Sequence, residues 1–264
     1  MINSVLIIDP QKDFCNKDGS LYVPNAECDI HRINKILKKR IKDINKIHVT
    51  MDEHHYYSIF HNVWYRGEAR TSVPPFTMIT AQDLEVGKYS VANIDYEERT
   101  LEYAKKLEIS GRYPLIAWPP HCIMGTQGAS LVPDIVNVLK EWSNYHFKSI
   151  SYTLKGQSPW TENYSAIMAE VPDRTDMRTL PNLKLIRSLE MSEEIWVMGE
   201  ASSHCVANTI RDLISQSIHK DTIKKIVIVK DCMSPVTGFE NLQEEFFKEM
   251  HDKGAQIVSS DNLL

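Results

Sequence analysis

The chain has 264 residues, 42% of them hydrophobic and 25% charged, which is ample for a core and rules out a disordered or low-complexity tract. A net charge of -5 argues against a nucleic-acid or anionic-membrane surface, and five cysteines without dense spacing fit a reducing, cytoplasmic setting rather than a disulfide scaffold. The opening apolar run, Val5 to Ile8, is too short for a signal-peptide core, and no other stretch is long enough to span a bilayer.

In chain order, short apolar runs read as buried strands at Val5–Ile8, Ile47–Met51, Leu115–Trp118, Ile150–Leu154, Ile195–Met198 and Ile226–Val229, with Gln256–Val258 as a seventh. Helical periodicity lies between them. Ile30, Ile33, Leu37, Ile41 and Ile44 line one face; Leu131, Ile135, Val138 and Trp142 line a second. Val206, Ile210, Leu213 and Ser217 line a third, and Leu242, Phe246 and Met250 mark a last helix that Gly254 would stop. Alternating strands and helices predict an α/β fold: three layers, with a mostly parallel central sheet and helices on both faces. Residues 55–114 break the rhythm, being rich in Tyr, Pro and Thr with one convincing helix at Glu97–Leu107. They read as an inserted lid or interface element after the second strand of a single domain spanning 1–264. Its aromatic-rich start, Tyr56 to Tyr65, suits a pocket wall or a second subunit, so a homo-oligomer is compatible with it.

Sites in open parallel sheets form beyond the carboxyl ends of the strands. The first strand ends at Asp9, the second at Asp52-Glu53-His54, the third at Trp118-Pro119-Pro120-His121-Cys122 and the fourth at Lys155-Gly156. The fifth runs into Gly199-Glu200-Ala201-Ser202-Ser203-His204-Cys205, which opens a helix. Five strand ends thus bring acid, base, thiol and metal-ligand functions to one rim. Cys205 is the expected nucleophile, because a helix N-terminus favours thiolate and offers N–H groups to an oxyanion. Cys15 and Cys122 are rivals on the same rim. Asp9 and Lys155 are its natural partners, the carboxylate to shuttle a proton and the ammonium to steady the sulfur. Asp52 and His54 are two apart, so an extended backbone points both the same way; with His121 they would make three ligands for one divalent ion. His55 and His61 compete for a place in that shell. An Asp/His₂ set suits zinc first, with iron or manganese as alternatives.

These segments resemble those of the isochorismatase-like cysteine hydrolase superfamily, and within it the nicotinamidase-like branch. Val5 to Phe14, with Asp9-Pro10-Gln11-Lys12-Asp13-Phe14, is similar to the opening strand and its Asp-x-Gln-x-Asp-Phe signature. Trp118 to Cys122 with Gly125-Thr126 and Gly128-Ala129 resembles the metal-histidine segment, and Gly199 to Val206 the nucleophile turn. The likeness implies a triad of Asp9, Lys155 and Cys205, a metal held by Asp52, His54 and His121, and a cis peptide at Glu200-Ala201. It further implies oxyanion donors at the amides of Ala201 and Cys205, with Phe14 and Trp118 flanking an aromatic ring whose nitrogen the metal could touch. The implied reaction is ammonia release from a small-molecule carboxamide, nicotinamide to nicotinate, through a thioester. Ser202-Ser203 departs from the Thr-Asp of many nicotinamidases, and Ser58 falls where a further histidine often stands. Those departures leave another amidase of the superfamily, an isochorismatase-type ether hydrolase and a non-catalytic binding homologue as the competing readings.

Overall fold

The structure is a computed structural model that describes residues 3–264. Its strands are β1 (Asn3–Ile8), β2 (Lys46–Asp52), β3 (Thr77–Ile79), β4 (Leu115–Ala117), β5 (Ser151–Lys155), β6 (Glu194–Gly199), β7 (Ile226–Val229) and β8 (Gln256–Val258). Its longer helices are α1 (Ala26–Lys39), α2 (Glu97–Ser110), α3 (Pro133–His146), α4 (Leu183–Glu190), α5 (Ala207–Gln216) and α6 (Glu240–Lys253). Six strands form one parallel sheet in the order β8-β7-β6-β1-β2-β5. The central strands β1 and β6 are uninterrupted apolar runs that are buried throughout their middles. Strands covered on both faces require that composition. Right-handed crossovers place α1 and α3 on one face, where they pack together, and α4, α5 and α6 on the other. The α/β, three-layer expectation holds.

One predicted strand lies elsewhere. Leu115–Ala117 does not join the central sheet; it pairs antiparallel with Thr77–Ile79 inside the inserted region. An apolar run signals a buried strand but carries no information about its partner, so the central sheet has six strands and not seven. The first helix also stops at Lys39, earlier than the periodic face suggested, although Ile44 beyond it is still buried. Helix α4 had gone unread, despite Asn182 as an N-cap and an apolar stripe at Leu185, Ile186 and Leu189.

Residues 55–114 pack against the sheet end of the molecule. A second small ladder joins Tyr65–Arg66 to Ser90–Val91. Trp64 is buried, stacks on Tyr96 at 5.3 Å and meets Trp160 edge-on at 5.4 Å. Most of the aromatics at the start of the segment are therefore its packing material, joined to the main core, with Tyr56 left exposed. No helix among the described residues is long and apolar enough to cross a membrane.

Candidate active site

The chain leaves β1 for β2 on one side and later returns to β6 on the other, so the sheet's switch point lies between β1 and β6. Crevices open there beyond the carboxyl ends of the strands. Asp9 follows β1 with a left-handed φ of 47°, uncommon for a residue with a side chain. The turn is fixed from β2: the Asp9 amide donates to Thr50 O at 3.2 Å, and the Thr50 hydroxyl donates to Asp9 Oδ1 at 2.5 Å. Gln11 then buckles the two strand ends together. Its side chain donates to Asp52 O at 2.7 Å and accepts from Asp52 N at 2.7 Å.

Asp52 and Lys155 end neighbouring strands and are register partners, so their side chains emerge side by side. Lys155 Nζ lies 2.6 Å from Asp52 Oδ1, 2.9 Å from Asp9 Oδ2 and 3.5 Å from Cys205 Sγ. All four residues are buried. Although burial opposes its charge, Asp52 and Asp9 hold the Lys155 ammonium well above its ordinary value. Burial raises the Asp9 carboxyl, against the pull of Lys155. Burial also pushes the Cys205 thiol well up, and Lys155 only partly offsets it, because two carboxylates already share that ammonium. The helix N-terminus favours thiolate, and burial works against it here. Asp9 Oδ2 has no well-aligned donor, and the Asp9 carboxylate lies within 4.8 Å of the Cys205 sulfur.

Cys205 sits on a single wide turn, Ser202–Val206, that runs into α5. The Glu200–Ala201 peptide is cis, as the family likeness implied. Gly199 has a φ of 114°, and a side chain there would overlap the Ile8 backbone; only glycine lets the turn lie this close to β1. The Ala201 amide donates to no group among the described residues, which leaves it available to a ligand. Tyr113, from the end of the insertion, donates its hydroxyl to Ser203 O at 2.8 Å and steadies the turn from behind.

Beside the lysine, Asp52, His54 and His121 place one donor atom each within 4.8 Å of one another. His54 and His121 present Nε2 because Nδ1 is tied back to a backbone carbonyl: Gly156 O at 2.9 Å and Pro119 O at 2.8 Å. That is the arrangement metal-ligating histidines adopt. His61 does the same with Tyr56 O at 3.1 Å, and its ring lies 5.8 Å from that of His54 and 5.3 Å from that of His121. The Nε2 atoms of His54 and His61 are buried without a protein partner. Burial and the neighbouring rings lower His121 to about 4 and His61 to about 2, keeping both neutral and able to donate a lone pair. These orphaned nitrogens and the mixed N/O donor set fit a divalent ion. His55 is exposed and stays outside the cluster.

His121 arrives on the segment after β4, so four central strand ends and the segment just beyond the insertion build the site, not five ends of one sheet. The Cys122 amide donates to Asp13 Oδ2 at 2.7 Å, and the His54 amide donates to Cys122 O at 3.0 Å. Gln11 and Asp13 are functional positions that residue-by-residue reading passed over. Their place in the Asp-x-Gln-x-Asp-Phe run was the available signal. Phe14 meets the His121 ring edge-on at 5.5 Å, and with Trp118, Tyr164, His204 and Glu162 it lines a narrow cleft over Cys205. Trp118 Nε1 donates to the Tyr164 hydroxyl at 2.9 Å. Burial lifts the Glu162 carboxyl to about 7. The insertion backs this cleft without lining it: Phe60 packs on His54 and Phe76 on Trp118. A roomier groove lies elsewhere, where Arg99 covers the Trp160 ring at 4.0 Å, and it holds neither the thiol nor the histidines. Cys15, Cys122 and Cys232 are buried, with thiols that burial raises, and Cys28 is exposed.

The parallel six-stranded sheet is the fold of solved nicotinamidases and pyrazinamidases that this chain resembles. No family model matches the chain. The curated relatives are nicotinamidases: that of Escherichia coli is 26% identical over 260 residues, covering 97% of this chain and 94% of its own length. That of Saccharomyces cerevisiae is 24% identical over 210 residues, 79% of each chain. Among solved structures, a yeast nicotinamidase superposes with a TM-score of 0.67 at 21% identity, over 97% of this chain and 99% of that one. A Pyrococcus horikoshii pyrazinamidase solved in complex with zinc gives 0.57 at 18% identity, over 98% of this chain and 99% of that one. The sequence likeness is to nicotinamidases, which the motifs also resemble, and the fold is shared with them.

Proposed function

We propose that residues 1–264 form one hydrolase domain, a cysteine amidohydrolase that releases ammonia from a small aromatic carboxamide, nicotinamide being the expected substrate. The observation that carries it is Lys155 Nζ, in contact with Asp9, Asp52 and Cys205 at once, beside inward-facing histidine nitrogens. Asp9 takes the thiol proton as Cys205 Sγ forms a bond to the carboxamide carbon. The Ala201 and Cys205 amides hold the oxyanion. The C–N bond breaks, the proton held by Asp9 goes to the leaving nitrogen, and ammonia departs from a thioester. Water then attacks the thioester with Asp9 again as base, giving the carboxylic acid and restoring the thiol. Phe14 and Trp118 hold the ring between them.

Asp52, His54 and His121 would hold one divalent ion, with His61 Nε2 as a further donor, and when bound that ion supplies an electron-pair acceptor for a ring nitrogen. Zinc fits the donor set and is what the Pyrococcus pyrazinamidase structure contains. Ammonia release measured across nicotinamide, pyrazinamide, benzamide and a non-aromatic amide tests the reading. Turnover of the nitrogen-containing rings ahead of benzamide is expected. No ammonia from any of them, with metal supplied, would sink it.

A further inference from the structure

Beneath the nucleophile turn lies a second pair of carboxyl groups that the hydrolysis does not use. Glu200, on the turn, and Asp29, on α1, are both buried and are bridged by one residue. Ser234, after β7, joins them: its amide donates to Glu200 Oε2 at 3.1 Å and its hydroxyl to Asp29 Oδ2 at 2.5 Å. Ser202 N also donates to Ser234 O at 2.9 Å. One helix and the segments that follow two neighbouring strands thus meet at one clasp under the turn. Glu200 Oε1 has no protein donor unless a proton lies between the two carboxyls. Two carboxyls held by the same serine in a buried site disfavour each other's charge, so one of them is expected to keep its proton.

The surrounding groups assign that proton. Arg32 lies 3.3 Å from Asp29 and 3.7 Å from Asp231, and is partly in solvent. It therefore favours charge on Asp29. The other ionisable groups facing the pair, Cys15, Cys232 and Asp231, supply no positive charge. Burial, reinforced by Asp29, pushes the Glu200 carboxyl well above its ordinary range.

We propose that Glu200, sharing a proton with Asp29, is a positioning residue for the hydrolysis: it clamps the turn so that the next amide, Ala201 N–H, points at the oxyanion. The Glu200 carbonyl and the Ala201 N–H belong to one peptide plane that begins at the Glu200 Cα, so anchoring the Glu200 side chain restricts how far that donor can turn. The idea rests on the amide-hydrolysis reading, and two of its tests need no turnover.

Glu200→Gln can donate to Asp29 and accept from Ser234 while carrying no titratable proton. Infrared difference spectra should show a protonated carboxyl band in the wild type at pH 8 that this variant lacks. A raised carboxyl pKa means the folded protein keeps a proton that the unfolded chain releases above its ordinary value of about 4.3. That contribution to stability is full below the unfolded value and is lost as pH rises toward the folded one. The Tm of Glu200→Gln should therefore gain on the wild type steadily from about pH 5 upward. In kinetics, Glu200→Gln should keep kcat within about threefold and move the alkaline limb upward. Glu200→Ala should lower kcat about tenfold or more with KM within about twofold. If the alanine variant does not fold, the alkaline limb of the glutamine variant decides alone. Identical alkaline limbs, or a Glu200→Ala that loses Tm but keeps kcat, would overturn the positioning role while leaving amide hydrolysis intact. An unchanged carboxyl band would overturn the shared proton. A wild type that hydrolyses no amide would take the positioning role down with the hydrolysis reading, and the infrared result would still report on the proton.

Discussion

The sheet rim and the inserted segment contribute to the same cleft by different means. The rim residues Asp9, Asp52 and Lys155 are strand-end positions fixed by parallel register, and Cys205 follows the next strand within one turn. Their placement follows once the strands pair. The insertion works by packing: Phe60, His61, Phe76 and Tyr113 stand behind the histidines, Trp118 and the nucleophile turn. Register places atoms without reference to side-chain fit, whereas packing depends on many neighbours at once. The rim should therefore hold the all-or-none chemistry and the insertion the graded adjustments.

That division can be broken, first at Cys205. Cys205→Ala should lower ammonia release by at least about a thousandfold with the thermal transition retained, whereas Cys15→Ala and Cys122→Ala should leave substantial activity. Full activity in Cys205→Ala would end the mechanism. Gly156→Ala comes next. Its φ is 75°, and a side chain there would overlap the His54 ring whose Nδ1 the same residue's carbonyl accepts. Divalent-ion affinity should fall about 10- to 100-fold in equilibrium dialysis, because the misplaced group orients a ligand. Gln11→Ala leaves the Asp52 amide without its side-chain acceptor and should cost about 1–3 kcal/mol in denaturant unfolding. Tyr113→Phe should have the smallest effect, about 0.5–1.5 kcal/mol in stability and a few-fold in kcat, since it removes one hydrogen bond behind the turn. A collapse of activity in Tyr113→Phe comparable to Cys205→Ala would erase the distinction between rim and insertion.

The same contrast accounts for what could be read beforehand. Apolar runs at Val5–Ile8 and Ile195–Met198 announce buried parallel strands because such strands tolerate little else. Strand-end chemistry at Asp9, Asp52 and Lys155 follows from them, and all three converge. Leu115–Ala117 carried the same local signal and was assigned to the central sheet, because partner choice is a long-range property. The effect of burial on the Cys205 thiol is not legible either. It depends on how two carboxylates divide one ammonium inside a buried site, and that requires coordinates. Glu200 and Asp29 are far apart in sequence, and neither sits in a pattern that marks a shared proton.

The position of β1 at the middle of the sheet has a consequence for how the site comes into being. Ser4 pairs with Lys46 on one side and with Ile195 on the other, so one edge of β1 can be satisfied early and the other waits for a distant stretch of chain. Parallel pairings across such long loops close slowly, and an unfilled apolar edge meanwhile invites association with other chains. Asp9 and Cys205 sit at the ends of those two late-pairing strands. The proposed nucleophile and its proposed base therefore meet only when the last central gap in the sheet is filled, and during refolding the return of activity should trail the bulk of the secondary structure.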